Sequence, residues 1–516
     1  MNKKVIIFLL VITVAFGCSK KNNEFEKLIS GGNSFDLLIT GGTLIDGSGK
    51  EPYKADVLIS KDRIRFIGSV DHSKISVKTI IDASGKVVSP GFIDSHAHGN
   101  PLKDPAFTNF LAMGVTTICL GQDGFSEETE NFAQWIKRVS DTIPGVNIVP
   151  FVGHSTLRKS SDINYDTVPS ESELNEMVQQ LDKALKDGVF GLSTGLEYTP
   201  GYYAKDQEMA LLAEKVGEYR GVIMSHIRNE DDEVIENSII ELLKQGRHSK
   251  VHVSHMKVVY GKGENRAEEI LNLLDSARGK GIRVTADIYP YNASYTGIGI
   301  VFPKWAKPPN DYQQVLKSRR KELSDFLIEK VKKRNGPEAT LFGNDPWRGK
   351  TLKMVAEELG KPFDEVLMDD IGPTGASGAY FVMDEALQSR LIADSLVAIS
   401  SDGSPTMHHP RGYGAFAKII RKFVVEDKLL SIEDAIRKMT GLPSTILGLE
   451  NRGLLKPGNY ADILVFDPKK VKDLATYEEP HQLATGFDYV ILNGKVVFTE
   501  DKDSPLRFGK VLVKRN

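Results

Sequence analysis

Several apolar segments of this 516-residue chain end at side chains that can bind a divalent metal. Each segment is short and rich in Val, Ile and Leu, which is the composition of a buried β-strand. The metal-binding side chains that follow these segments are His96 and His98, His226, His255, and Asp402. Imidazole nitrogens and carboxylates are ligands that suit zinc in proteins. Because bound zinc makes water a good nucleophile near neutral pH, the sequence predicts a metal-dependent hydrolytic site.

The order of strands and helices around these residues indicates how they could come together. Apolar strands alternate with amphipathic helices such as 171–185, 206–219 and 267–280. Candidate strands lie at 92–93, 116–120, 147–152, 189–192, 222–224, 250–253, 283–286 and 396–399. This repeat predicts an α/β fold with a (β/α)8 TIM-type barrel. The carboxyl ends of barrel strands meet on one face, so we expect the candidate ligands to converge there.

Other elements are predicted to flank and interrupt the barrel. We expect a tether at 19–34, a first β-sandwich segment at 35–90, the barrel at 91–445 and a second β-sandwich segment at 446–516. Both β-rich ends contain short strands separated by turn residues, so they are expected to pair into one small β-sandwich domain built from both chain ends. The stretch at about 302–380 is longer than a crossover needs, and we interpret it as an insertion that covers the site.

The N-terminus has the layout of a secretory signal. Lys3 and Lys4 precede an apolar run at 5–16 that is too short to span a bilayer comfortably. Residues 15–18, Ala-Phe-Gly-Cys, resemble a bacterial lipobox, so we expect a lipoprotein signal peptide at 1–18 and a lipid anchor on Cys18. An ordinary signal peptide with an incidental cysteine is the alternative. Either processing route predicts export, and the lipid anchor predicts the bacterial cell envelope, facing the periplasm or on the outer membrane.

Composition narrows the range of partners. The formal net charge is -3 and no basic run is present, so we expect no nucleic-acid binding and membrane contact through the N-terminal lipid only. Once Cys18 carries lipid, only Cys119 is left as a free thiol, which rules out an intramolecular disulfide. The expected partner is a small molecule.

Residues 90–98, Pro-Gly-Phe-Ile-Asp-Ser-His-Ala-His, resemble the first-strand signature of the amidohydrolase superfamily. The leading segment 38–43 and the late segment 453–462 fit the same frame, and the resemblance covers nearly the entire mature chain. Stretches similar to the N-acyl-D-amino-acid deacylases (D-aminoacylases) are 114–117, 153–158, 191–196, 254–257, 289–291 and 409–411. The resemblance implies metal-dependent hydrolysis of the linear amide bond of N-acyl-D-amino acids, a non-peptide C–N bond, to a carboxylate and a D-amino acid.

The same resemblance implies a set of metal ligands. His96 and His98 would hold one metal together with Asp402, and His226 and His255 would hold the other. The cofactor implied is one or two Zn²⁺ ions, or another divalent metal.

The sequence departs from the family at one ligand. D-Aminoacylases typically place a Cys ligand shortly after the Gly-Val-Thr-Thr strand, where this chain has Asp123. Cys119 lies four residues too early, inside the strand, and is expected to face the core. Many relatives bridge two metals with a fourth-strand residue, and Glu197 lies in that region, so we favour Glu197 as the bridging ligand and Asp123 as the second candidate. The alternatives are a turn carboxylate for Asp123 and a hydrogen bond that orients a ligand for Glu197.

Catalytic and substrate-binding roles follow from the chemistry of amide hydrolysis. Asp402, beside the metal, is expected to act as both general acid and general base, and Tyr198 to steady the oxyanion. The free carboxylate of the substrate requires a cation, for which Lys257 and Arg411 are the candidates. Tyr289 could add a hydroxyl donor.

The residues also fit related activities. The alternatives are a dipeptidase acting on D-residue or isoaspartyl peptides, and a cyclic-amide hydrolase of the dihydroorotase or hydantoinase type. A non-catalytic homologue is a third possibility, but such proteins usually lose ligands, and this chain retains all five. The sequence leaves open the preferred D-side chain, the number of metal ions and the oligomeric state.

Overall fold

The computed structural model of the chain describes residues 24–126, 131–500 and 505–515. Its strands form a sandwich, a barrel and an insertion. In chain order the strands are β1 (Ser34–Thr40), β2 (Thr43–Leu44), β3 (Tyr53–Lys54), β4 (Asp56–Ser60), β5 (Arg63–Gly68), β6 (Ser76–Asp82), β7 (Val87–Pro90), β8 (Phe92–Asp94), β9 (Val115–Leu120), β10 (Asn147–Pro150), β11 (Val152–Gly153), β12 (Gly191–Gly195), β13 (Val222–His226), β14 (Lys250–Val253), β15 (Val284–Ile288), β16 (Ala293–Gly297), β17 (Thr340–Phe342), β18 (Ser377–Phe381), β19 (Val397–Ile399), β20 (Ile463–Phe466), β21 (Phe487–Leu492) and β22 (Lys495–Phe498).

The helices connect most of the barrel strands and build the insertion. In chain order they are α1 (Thr108–Ala112), α2 (Phe132–Thr142), α3 (His154–Ser160), α4 (Glu171–Asp187), α5 (Asp206–Glu218), α6 (Ile235–Gln245), α7 (Gly263–Gly279), α8 (Tyr312–Ser318), α9 (Arg320–Lys333), α10 (Leu352–Leu359), α11 (Phe363–Glu365), α12 (Glu385–Ala393), α13 (Arg411–Lys418), α14 (Ile432–Met439) and α15 (Gly441–Leu447). π-Helical turns at Val366–Ile371 and Ile419–Glu426 continue α11 and α13.

Helix α4 illustrates how local sequence sets these elements. The Ser170 side chain accepts a hydrogen bond from the Glu173 amide, and the Glu173 carboxylate accepts one from the Ser170 amide, which forms a capping box at the start of the helix. Leu174 and Leu181 lie on the buried face. Gly188 ends the helix with a φ of 105°, a conformation that favours glycine.

Parallel strands form the central barrel. β8, β9 and β10 pair in parallel, as do β11, β12, β13, β14, β15 and β19 in that order. Only Phe151 separates β10 from β11, so these two strands occupy one position. A parallel bridge between Ala97 and Gly403 links the chain beyond β8 to the chain beyond β19. The predicted (β/α)8 barrel is confirmed.

A β-sandwich joins the two β-rich ends of the chain. One sheet has the order β5-β4-β1-β6, and the other has the order β22-β21-β20-β7-β2-β3. The second sheet contains both ends because β7 pairs antiparallel with β20, with Val88 opposite Val465. Leu37 and Ile59 of the first sheet share a buried core with Ile463 of the second. The predicted sandwich built from both ends is confirmed.

The insertion has a small core of its own. β16, β18 and β17 form an antiparallel sheet, and Leu323, Leu327 and Phe342 lie in a buried cluster beside it. The insertion begins earlier than the predicted position of about 302, because β16 pairs with β18 along its whole length, from Ala293 opposite Phe381.

The N-terminal region differs in part from the predicted tether. Residues 24–30 are helical, and Phe25 is buried with its ring centroid 5.3 Å from that of Phe66. The second half of the predicted tether therefore packs on the first sheet of the sandwich. The predicted signal peptide at 1–18, with Cys18, lies outside the described residues. Within the described ranges, no helix combines the length and the apolar character that crossing a membrane requires.

Candidate metal centre

The predicted ligands converge at the carboxyl ends of the barrel strands. His226 is the last residue of β13, while His96, His255 and Asp402 follow β8, β14 and β19 within a few residues. They line or adjoin a cavity of about 740 Å³, whose wall includes His98 and Asp402. This is the face on which barrel enzymes build their active sites.

One group of possible ligands contains His96, His98, Asp123 and Asp402, whose ligand atoms all lie within 4.8 Å of one another. Asp402 Oδ1 lies 3.1 Å from His98 Nε2 and 3.7 Å from His96 Nε2. The Asp123 carboxylate lies 3.3 Å from His96 Nε2 and 3.4 Å from His98 Nε2. Ligand atoms of a tetrahedral zinc ion are about 3.3–3.5 Å apart, so these spacings fit one ion.

The second group contains Asp123, His226 and His255. Asp123 Oδ1 lies 3.2 Å from His255 Nε2 and 3.8 Å from His226 Nδ1. His226 Nδ1 and His255 Nε2 lie 3.0 Å apart. Asp123 belongs to both groups, so a pair of ions at these positions would share its carboxylate.

The structure places the two candidates for the bridging ligand, Glu197 and Asp123, at different positions around the histidines, and Glu197 forms a third possible ligand group with His226 and Glu230. Within the described ranges, Glu197 approaches only one of the four candidate histidines, with Oε2 3.1 Å from His226 Nε2. That nitrogen is the one on the far side of the ring from Asp123, since His226 Nδ1 faces the Asp123 carboxylate. Glu197 thus contacts His226 alone among these histidines, whereas Asp123 lies between the first two groups, and the identity of the bridging ligand stays a prediction.

Three of the proposed ligands have left-handed backbone conformations. The φ angles are 54° at Asp123, 37° at His255 and 49° at Asp402. Such conformations cost on the order of 1–3 kcal/mol at a non-glycine residue and concentrate at functional sites. Backbone hydrogen bonds hold two of them, from the His255 amide to Asp287 Oδ1 (2.6 Å) and from the Asp402 amide to the His96 carbonyl (2.8 Å). The strain therefore aims these side chains at a common point.

The donor set and its electrostatics fit a divalent cation. His96 is fully buried, and neither of its ring nitrogens has a hydrogen-bond partner among the residues that the structure describes. Burial lowers the pKa of His98, but hydrogen bonds and charges from Asp123 and Asp402 outweigh burial and raise that pKa to about 9. Without a metal, a protonated His98 imidazole therefore provides positive charge next to the carboxylates of Asp123 and Asp402. A bound cation would replace those protons, as metal binding usually does.

Arg411 adjoins this group through Asp402. Its Nη1 lies 2.9 Å from Asp402 Oδ2, and its Nη2 donates to the Tyr295 carbonyl at 3.4 Å. Burial raises the pKa of Asp402, but the charges of Arg411 and His255 outweigh burial and hold it well below its usual range. One oxygen of Asp402 therefore faces the histidines while the other is fixed by Arg411.

Lys257, predicted to bind the substrate carboxylate, has partners in the protein. Its Nζ lies 2.6 Å from Glu230 Oε1 and 2.8 Å from His255 Nδ1. Glu230 Oε1 also lies 3.3 Å from His255 Nδ1, so it can fix the tautomer that leaves Nε2 of His255 free for a metal. Sequence reasoning missed Glu230, because it lies in the irregular segment between β13 and α6, where residue spacing does not indicate direction.

The two predicted tyrosines occupy different places. The Tyr198 ring lies 4.5 Å from the His226 ring, and its hydroxyl accepts a hydrogen bond from Thr296 at 3.4 Å. The Tyr289 ring lies 4.8 Å from the Arg411 guanidinium, and its buried hydroxyl has no hydrogen-bond partner among the described residues. Both tyrosines can therefore still donate a hydrogen bond to a ligand.

Three further polar or thiol side chains, those of His154, Cys119 and Asp287, lie away from the ligands or below them. His154 binds Glu208, with Nε2 2.6 Å from Oε1, and does not join the metal groups. Cys119 is buried in the barrel core, as predicted. Asp287, which sequence reasoning missed, accepts hydrogen bonds from the His255 amide and from Ser95 Oγ (2.5 Å). It supports the loop that carries His255.

Comparison with known proteins gives consistent matches along the chain. Residues 348–498 match the family described as Amidohydrolase family. The chain is 33% identical over 505 residues to an N-acyl-D-aspartate deacylase of Alcaligenes xylosoxydans xylosoxydans, covering 92% of this chain and 95% of that relative. Among solved structures, the chain is similar to N-acyl-D-glutamate deacylase from Bordetella bronchiseptica, which was crystallised with zinc and a phosphonate mimic of the tetrahedral intermediate. The TM-score is 0.79 at 30% sequence identity, and the match covers 93% of this chain and 100% of that structure's chain. A D-aminoacylase with a binuclear metal centre, showing one-metal activation and second-metal attenuation, has a TM-score of 0.80 at 31% identity, with coverage of 93% and 100%.

Proposed function

This chain belongs to the N-acyl-D-amino-acid deacylase family of the amidohydrolases, and from that premise we propose that it uses zinc to hydrolyse the amide bond of N-acyl-D-amino acids. The products are a carboxylate and a free D-amino acid. The observation that carries the proposal is the convergence of four histidines with Asp123 and Asp402 in one cavity, with Arg411 2.9 Å from Asp402. When bound, zinc would lower the pKa of a water molecule and polarise the carbonyl of the amide.

Asp402 is the proton carrier in this proposal. Oδ1 faces His98 and is placed to accept a proton from the attacking water and to deliver it to the departing nitrogen. Protonated nitrogen is required because an amide anion is a poor leaving group. Arg411 holds the other oxygen and keeps the pKa of Asp402 low, so the carboxylate holds the proton only transiently and returns to its ionised form.

Arg411, Tyr289 and Lys257 are proposed to bind the α-carboxylate of the substrate. Arg411 uses one N–H on Asp402 and one on the Tyr295 carbonyl, and the planar guanidinium has further N–H groups to offer. The Tyr289 hydroxyl supplies a second donor beside it. Lys257 contributes positive charge and retains N–H donors beyond the one that Glu230 accepts.

Tyr198 is proposed to donate to the oxyanion that forms on the scissile carbonyl. Its ring packs beside His226 on the wall of the cavity, and burial raises the pKa of its hydroxyl well above the usual range. The hydroxyl therefore stays protonated at neutral pH. A neutral, buried donor of this kind favours the developing charge without changing its own ionisation.

A substrate panel tests the proposed function. The zinc-loaded protein is expected to hydrolyse at least one N-acetyl-D-amino acid with a kcat/KM of about 10⁴ M⁻¹s⁻¹ or higher, and to prefer it to its L-enantiomer. Activity should disappear with a chelator and return with zinc. Metal-replete protein that is inert on the whole panel but active on dihydropyrimidines would instead favour the cyclic-amide alternative.

We further propose that the chain is exported and anchored by lipid on Cys18. The support is the sequence at 1–18, with a basic start, an apolar run and a lipobox-like end. Wild-type protein is expected in the membrane fraction of bacterial cells and to carry labelled fatty acid, whereas Cys18→Ser should lose the label. Wild-type protein without label would contradict the anchor.

A further inference from the structure

Arg334 is a buried arginine in the wall of the metal cavity. It follows α9 in the insertion, is 4% exposed, and lines the same cavity as His98, Asp402 and Arg411. The mechanism described above gives it no role. A charged group in such a position usually has an acidic partner, because burial removes its hydration.

Among the described residues, no carboxylate oxygen lies within 4.0 Å of the Arg334 guanidinium. Its Nη1 is 3.4 Å from the Tyr260 hydroxyl, a long contact, and its buried Nε has no hydrogen-bond partner in the described part of the chain. The guanidinium carbon lies 5.0 Å from the centroid of the Tyr380 ring, and the Tyr380 hydroxyl is also buried without a hydrogen-bond partner. Both side chains therefore have unused donors in one place.

The described carboxylates that line the cavity are paired elsewhere. Glu230 pairs with Lys257 at 2.6 Å, and Asp231 pairs with Lys330 at 2.9 Å. Asp402 pairs with Arg411, while Glu197 and Asp123 face the histidines. Within residues 24–126, 131–500 and 505–515, the positive charge of Arg334 therefore has no acidic partner in the cavity, and an incoming anion can supply one.

We propose that Arg334 forms a second anion subsite, which binds the side-chain carboxylate of an acidic N-acyl-D-amino acid such as an N-acyl-D-aspartate or N-acyl-D-glutamate. This inference rests on the proposed function, because it assigns the D-side chain of that same substrate. Arg411 and Arg334 then bind the two carboxylates of one dicarboxylic substrate. A guanidinium suits this role because its parallel N–H groups match both oxygens of a carboxylate.

A carboxylate at the end of the acyl chain has the same chemistry as a carboxylate on the D-side chain. The substrate set therefore contains N-acetyl-D-glutamate, its neutral isostere N-acetyl-D-glutamine, and N-succinyl-D-alanine, whose second carboxylate is on the acyl side. The variants are Arg334→Met, Arg334→Lys, and Arg320→Met as a control that removes an exposed arginine from the same helix. Both kcat and KM are measured for each pair.

Wild type is expected to prefer N-acetyl-D-glutamate over N-acetyl-D-glutamine. Arg334→Met should lower kcat/KM for N-acetyl-D-glutamate by about 100-fold or more, mainly through KM, because it leaves a buried carboxylate unpaired. The same variant should hold kcat/KM for N-acetyl-D-glutamine within about threefold. Arg334→Lys should fall between, since it retains charge without the planar fork, and Arg320→Met should match wild type.

Several results would overturn the subsite. Equal losses on the acidic and neutral substrates in Arg334→Met would indicate a structural role. A loss confined to N-succinyl-D-alanine would move the carboxylate to the acyl side. If Arg334→Met fails to fold, the wild-type protein alone tests the proposal. Equal kcat/KM values for N-acetyl-D-glutamate and N-acetyl-D-glutamine would then reject the second anion subsite. A wild type inactive on every N-acyl-D-amino acid would instead reject the proposed function itself.

Discussion

Replacing Asp402 by asparagine is expected to lower kcat for N-acyl-D-amino-acid hydrolysis by about 10²–10⁴-fold, the range that a general acid–base group contributes. Asparagine has the shape of aspartate and retains an oxygen that can face His98, but it cannot accept a proton from water. It also loses the charge that pairs with Arg411 at 2.9 Å. The measurement is kcat at saturating substrate, with metal content determined on the same samples.

Asp473→Asn is the matched control for that experiment. The Asp473 side chain is 6% exposed and pairs with an arginine, Arg421, but neither residue lines the metal cavity. It should retain wild-type kcat. A kcat within tenfold of wild type for Asp402→Asn, at equal metal content, would show that another group carries the proton.

The barrel and most of its ligands were predictable because the signals are local. His226 and His255 each follow directly on a short apolar run, and parallel strands of one barrel must end on the same face. The sequence positions of such strand ends therefore determine which side chains meet. That argument needs no knowledge of loop conformation.

The ranking of Asp123 and Glu197 as bridging ligand depends on loop conformation, which the sequence does not determine. Both residues follow barrel strands, so strand order alone places both near the histidines. Asp123 reaches the centre because its backbone is left-handed, with a φ of 54°, a conformation that its sequence does not require. Glu197 approaches His226 from the opposite side of the ring.

Pairing between distant charges was equally inaccessible from the sequence. Lys257 is two residues from His255, which suggested a free cation at the site, yet it binds Glu230, 27 positions away. Arg334 lies in an insertion that breaks the strand–helix repeat, so no periodic pattern indicates which way it faces. Its burial without an acidic partner is visible only after the insertion has folded.

Asp123→Ala is expected to reduce metal occupancy far more than Glu197→Ala. Asp123 lies within 3.4 Å of His96, His98 and His255, so its removal takes a ligand from both metal groups. The loss in metal affinity should exceed about 100-fold, the upper end of what groups that only orient a ligand contribute. Glu197→Ala, which removes one contact to His226, should cost about 10–100-fold or less.

The test of this difference is chelator competition with zinc, combined with metal analysis of both variants after equal dialysis. Asp123→Asn provides a second comparison, since it keeps the size and one oxygen of the side chain but removes the charge that two cations would share. It should bind metal more tightly than Asp123→Ala and less tightly than wild type. If Glu197→Ala loses as much metal as Asp123→Ala, the bridging role returns to Glu197. If neither variant loses metal, the four histidines and Asp402 suffice, and the carboxylate between them serves only to neutralise protonated imidazoles.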